Sequence, residues 1–120
     1  MSEQVAELEP RDVAARMKAG EFLLIDVREA TEYAVERIHG ALLYPLSTFD
    51  AKQLPPDESR RVVFYCASGR RSLDAGKRRL ATGQPAAHMA GGINAWKAAG
   101  LPVVHVDPAT GRVLDTPRKS

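Results

Sequence analysis

Residues 60–79 read R-R-V-V-F-Y-C-A-S-G-R-R-S-L-D-A-G-K-R-R, and the fold is read outward from them. Val62, Val63, Phe64 and Tyr65 form a short β-branched and aromatic run without polar alternation, the pattern of a parallel strand covered on both faces. The run ends on Cys66, the single cysteine of the chain. Ala67, Ser68 and Gly69 permit a tight bend, and Arg70 and Arg71 lead into a helix-compatible segment carrying Leu73, Ala75 and Leu80. A thiol therefore stands where a strand hands over to a helix. Unpaired N–H groups and the helix dipole favour an anion there. The dipole is worth up to about 2 kcal/mol, on the order of one pKa unit, so loop amides and neighbouring arginines must supply any larger depression. Cysteines so placed titrate at about 3.5–7.5 against a reference of about 8.5. The competing reading is a buried, inert cysteine packed as a small hydrophobe; the glycine-bearing, doubly basic loop favours reactivity.

The chain has 120 residues, enough for one core and too few for two. With 44% hydrophobic and 27% charged residues its composition is that of a soluble globular domain, and no apolar run approaches the roughly 20 residues that cross a bilayer. The start, Met1-Ser2-Glu3-Gln4, lacks the basic and apolar segments of a signal peptide, and one cysteine forms no internal disulfide. Both observations predict a reducing compartment, the cytoplasm. A net charge of +2 is too slight to argue for nucleic acid or membrane as a partner. The basic residues nevertheless crowd the thiol. Lys77, Arg78 and Arg79 read as a solvated helix face, whereas Arg70 and Arg71 belong to the loop and would meet a small anion.

Taken in order, residues 9–20 predict a first helix, with Pro10 at its start and Gly20 as its stop. F-L-L-I-D-V over residues 22–27 predicts a buried strand whose carboxyl end carries Asp26 and Arg28. Open α/β sheets bind ligands at such ends, although a loop-holding role for this pair is favoured. Residues 30–37 predict a short helix, 42–44 a short strand, and 46–54 a weak helical segment closed by Pro55-Pro56. His39 reads as a surface loop residue, since no carboxylate or second histidine is near it in sequence. A short strand at 86–89, a Gly91-Gly92 turn, a helix at 93–99 with Trp96 as core anchor, and a last strand at 102–106 complete the pattern. Residues 107–120 read as a surface tail on a single domain spanning 1–106. Strands alternating with helices predict an α/β fold of three layers, a mostly parallel sheet with helices on both faces.

These pieces together resemble the rhodanese family of single-domain sulfurtransferases. The resemblance runs from about Pro10 to Val104. It rests on Asp26-Val27-Arg28 followed by Glu32-Tyr33, on Ile38-His39-Gly40-Ala41, on the strand into Cys66 with Gly69 and Arg71, and on Gly91-Gly92-Ile93-Asn94-Ala95-Trp96. It implies a nucleophilic Cys66 that accepts sulfane sulfur as a persulfide, in a loop of Ala67, Ser68, Gly69, Arg70 and Arg71 whose amides cradle the sulfur. Asp26, Arg28 and Ser72 are then supports of the site. Thiosulfate would be attacked with release of sulfite, and cyanide or a cellular thiol would remove the sulfur in a ping-pong cycle without metal or organic cofactor. Arg70 and Arg71 would bind the donor's charge, and the acceptor could be a thioredoxin-like or other protein. Ala67 departs from the family, since many members carry arginine there, which puts thiosulfate in doubt as the donor. Arg37 stands where many relatives have histidine, with no expected effect.

Three rivals remain. Cysteine phosphatases and arsenate reductases resemble C-x5-R, with arginine six positions after the cysteine; here that position is Ser72, and Arg71 comes one residue sooner. Thioredoxin-like exchange lacks its resolving cysteine, because Gly69 occupies the place. A sulfur carrier with little turnover, or a docking or thiol-sensing module, stays open, although a docking domain alone would need no thiol.

Overall fold

The computed structural model describes residues 4–57, 59–107 and 109–115. Its central sheet has five strands, all parallel: β1 (Ala6–Leu8), β2 (Phe22–Asp26), β4 (Leu42–Leu43), β5 (Arg61–Tyr65) and β6 (Ala87–Met89), in the order β1-β6-β5-β2-β4. The most apolar strands, β2 and β5, lie inside and pair from Phe22–Arg61 to Asp26–Tyr65. That placement is what continuous apolar runs require, since both faces of an inner strand are covered. Along β5 the side chains alternate. Val63 and Tyr65 join one core with Val13, Ile93 and Trp96; Val62, Phe64 and Cys66 join another with Ala75 and Phe49.

The helices that close these cores are α1 (Pro10–Lys18), α4 (Gly92–Ala98) and, on the opposite face, α3 (Arg70–Leu80). The fold is thus α/β in three layers, as expected. Helix α1 begins on Pro10, has Asp12 in its first turn and Arg16 and Lys18 in its last, each charge matching the dipole. Trp96 is buried at 4% exposure, and its Nε1–H donates to the Pro102 carbonyl at 2.8 Å. His39 is exposed, in the loop before β4. Lys77 and Arg78 are exposed as expected, but Arg79 is fully buried, its guanidinium donating to the Pro85 and Pro55 carbonyls at 3.0 Å and to the Asp57 carboxylate at 2.9 Å.

Four elements differ from the expectation. The helix over 30–37 stops early as α2 (Ala30–Val35), because β3 (Glu36–Arg37) pairs antiparallel with β7 (Val104–Val106). Residues 46–54 form two 3-10 turns, Leu46–Thr48 and Ala51–Gln53, instead of one helix. The break falls at Asp50, whose N–H donates to Tyr44 Oη at 2.8 Å and whose carboxylate accepts from the Lys52 N–H at 3.0 Å. Strand β1 was not expected at all. Within the expected tail, β8 (Val113–Asp115) runs antiparallel to β7, completing a three-stranded sheet β3-β7-β8. Two contacts turn the chain there: the Gly111 N–H reaches the Asp107 carbonyl and the Asp107 N–H that of Arg112, both at 2.7 Å. Residues 1–3 and 116–120, Arg118 among them, lie outside the described residues. No described helix is long and apolar enough to cross a membrane.

Candidate active site

Strand β5 delivers Cys66 to the base of α3, buried at 1% exposure. The bend works because Gly69, the residue capping α3, adopts φ 107°, a left-handed conformation that side-chain-bearing residues avoid. The loop curls around the sulfur. Sγ accepts the N–H of Gly69 at 3.1 Å and of Ser72 at 3.3 Å, with Ser72 Oγ at 3.6 Å. Burial pushes the thiol up, but the Ser72 hydroxyl and the N–H groups of Ser72, Gly69 and Ser68 outweigh it, and the net displacement is downward. The thiolate is favoured by hydrogen bonds aimed at one atom, with the helix start as their scaffold.

The outer side of the loop is fixed by α4. The Cys66 and Ala67 carbonyls accept the N–H groups of Ile93 at 2.9 Å and Asn94 at 3.1 Å, the otherwise unpaired donors of that helix start. With the carbonyls held outward, the following N–H groups face the sulfur. Gly92 makes this possible: a Cβ there would overlap both carbonyls, and its φ is +60°. The Gly91-Gly92-Ile93-Asn94 segment is therefore part of the cradle.

Arg71 makes no described hydrogen bond to the thiol. Its guanidinium forks onto Glu32, with Nη1 to Oε1 at 2.7 Å and Nη2 to Oε2 at 3.0 Å. The Arg71 hydrogen bonds hold the Glu32 carboxyl down at about 2. Glu32 also accepts the Glu29 N–H at 3.0 Å, so the pair ties the Cys66 loop to the start of α2. Arg70 is exposed and makes no described hydrogen bond or ion pair; Ser68 is exposed, and Ala67 half-buried. Ser72, at the position where a phosphatase-type loop would carry arginine, is fully buried beside the sulfur.

Asp26 and Arg28 meet each other. Arg28 Nη2 and Nε reach the Asp26 carboxylate at 2.7 and 3.0 Å, Nη2 also reaches the Glu36 carbonyl, and Tyr65 Oη donates to Asp26 at 2.7 Å. Burial, then the Asp26 charge, pushes the Tyr65 hydroxyl far above its ordinary range. This buried cluster locks the end of β2 to β5 and β3. Among the described residues no hydrogen bond links it to the thiol.

One residue at the site escaped the sequence reading. His88, in β6 and 3% exposed, places Nδ1 2.8 Å from Ser72 Oγ. Burial lowers its pKa against the pull of Glu7. The available signal was a lone histidine inside the apolar run Ala86–Ala90, on a strand beside the cysteine-bearing one.

The fold is shared with known proteins. The model of the rhodanese-like domain matches residues 9–99. A sulfurtransferase of Allochromatium vinosum is 33% identical over 102 residues, covering 83% of this chain and 95% of that protein. An uncharacterised protein of Synechocystis is 42% identical over 83 residues, 68% of this chain, and the chain spans only 46% of its length. The crystal structure of a rhodanese-related protein of Thermoplasma volcanium superposes with a TM-score of 0.72 at 29% identity, covering 82% of this chain and 97% of that one. Since the matched span runs from α1 through α4 and takes in the whole Cys66 loop with its backing, the chain belongs to the rhodanese-like domain family.

Proposed function

We propose that this chain is a sulfurtransferase that carries sulfane sulfur on Cys66. The observation that carries the reading is the ring of inward N–H groups on a buried Sγ. Family membership and the sulfurtransferase of Allochromatium vinosum support it. In the first half-reaction the thiolate attacks the outer sulfur of the donor; an Sγ–S bond forms, the donor's own S–S bond breaks, and sulfite leaves with the electron pair when thiosulfate is the donor. In the second, a thiolate or cyanide attacks the outer sulfur and Cys66 leaves as thiolate. The same N–H groups serve both halves, stabilising charge on Sγ as oxyanion-hole donors stabilise oxygen.

Two features bear on the donor. Ala67 supplies no cation, and the charge of Arg71 is matched by Glu32, leaving Arg70 as the exposed cation of the loop. The site is therefore a weak anion trap, and a thiol-borne persulfide, small or carried by a protein, suits it better than thiosulfate. A reducing compartment such as the cytoplasm, with a thioredoxin-like or other thiol acceptor, completes the reading. Incubation of the reduced protein with glutathione persulfide is expected to add one sulfur atom to the intact mass, more completely than thiosulfate at equal concentration, and Cys66→Ser to abolish the addition. An unchanged mass with every sulfane donor would overturn sulfur transfer.

A further inference from the structure

His88 is a buried titratable group for which sulfur transfer as described has no task. Its Nδ1 is 2.8 Å from Ser72 Oγ, which lies 3.6 Å from Cys66 Sγ. Its other ring nitrogen, Nε2, is buried without a hydrogen-bond partner among the described residues, 3.9 Å from Glu7 Oε2. Glu7, on β1, has a side chain 64% exposed. Polar groups thus run in a line from a buried sulfur to solvent. The ionisable groups facing His88 are Glu7 from β1 and, through Ser72 of α3, Cys66 at the end of β5; Gly69 beside the ring brings no side chain.

We propose that His88 is a positioning residue that sets the direction of the Ser72 hydroxyl and, by changing its tautomer, passes the Cys66 proton toward Glu7 and solvent. Ser72 has one hydroxyl proton and three acceptors in reach: Sγ, His88 Nδ1, and the Gly69 carbonyl at 3.2 Å. When Cys66 is a thiol, S–H donates to Oγ, the hydroxyl donates to Nδ1, and the ring proton sits on Nε2 facing Glu7. When Cys66 is a thiolate, the hydroxyl donates to Sγ, so Oγ accepts from Nδ1–H and Nε2 is bare. Ionisation reverses both hydrogen bonds: the sulfur proton moves to Oγ, the Ser72 proton moves to Nδ1, and the Nε2 proton leaves by way of Glu7 to water. One proton leaves sulfur and one reaches solvent; no heavy-atom bond changes and nothing is oxidised. Burial disfavours the doubly protonated ring, which makes that form a point of passage.

The inference takes Cys66 to be the nucleophile of the proposed reaction, but its test reads thiol ionisation with no sulfur donor present, so the two fail separately. In ¹⁵N-labelled protein, the ring nitrogens of His88 are expected to exchange the Nε2–H pattern for the Nδ1–H pattern at the pH where Cys66 ionises. Protein alkylated at Cys66 is expected to show no such exchange. Iodoacetamide alkylation followed from about pH 5 to 10 reads the same midpoint on sulfur. His88→Ala is expected to raise that midpoint by about one unit, a roughly tenfold slower reaction on the acid side. His88→Asn, which returns an N–H near Nδ1, should recover most of it. One tautomer on both sides of the Cys66 midpoint, or an unmoved midpoint in folded His88→Ala, overturns the proposal; if that variant does not fold, the wild-type ring signals decide.

Discussion

A sulfur atom at 1% exposure holds negative charge only where something inside the protein replaces water. Here the replacement is the Ser72 hydroxyl and the N–H groups of Ser72, Gly69 and Ser68. Because the folded pKa of Cys66 lies below that of an unfolded cysteine, about 8.5, the thiolate contributes stability that is complete above that value and is lost as pH falls through the folded one. Urea unfolding under reducing conditions should therefore show the advantage of wild type over Cys66→Ser growing from acid toward about pH 8.5 and then levelling, by about 1.4 kcal/mol per unit of depression. A pH-independent difference would contradict the cradle. Glu32→Gln tests the other charge at the site. It removes the carboxylate that occupies Arg71, so the KM for thiosulfate should fall several-fold; loss of a half-exposed pair should lower stability by about 1 kcal/mol or less. An unchanged KM would show that Arg71 does not reach the donor even when released.

At the scale of elements, what was legible was local. The apolar runs of β2 and β5, the Pro10 start of α1 and the small-residue bend after Cys66 each state their structure within a few residues. Partnership across the chain was not. Gly91-Gly92 reads as a turn in any window, and its role as backing for the Cys66 carbonyls appears only when α4 meets the loop. Asp26 and Arg28 had a recognisable position but not a recognisable partner, and Tyr65 joined them from another strand. Strand β1 is three residues, A-E-L, too short to carry a period, and is made by its pairing with β6. His88 fell out of view for the same reason. The Gly91-Gly92 support predicts a graded pair of variants. Gly83→Ala meets a positive φ in open space and should lower stability by about 1 kcal/mol. Gly92→Ala meets a positive φ and two carbonyls together, and should lower it by at least about 3 kcal/mol while slowing Cys66 alkylation at neutral pH. Equal losses in urea midpoint would remove the special role of Gly92.

For the whole molecule, the described core ends at Val104, and β8 adds an exposed Val113 and main-chain pairing to β7. A chain ending at Val106 should therefore unfold cooperatively and load sulfur like the full chain, with a loss on the order of 1 kcal/mol from exposed hydrogen bonds. Loss of cooperative unfolding would make the β3-β7-β8 sheet integral to the domain. The strand order has a kinetic side as well. Ala6 lies beside Ala87 and Leu8 beside Met89, so β1, made before the other described strands, waits for β6 before it has a neighbour. Closing that span has an entropic penalty that nearby pairs such as β2 and β4 largely escape. Strand β1, which brings Glu7 to the edge of the site, is thus expected to dock late, and a newly made chain to assemble the sulfur cradle before the acidic group that faces its histidine arrives.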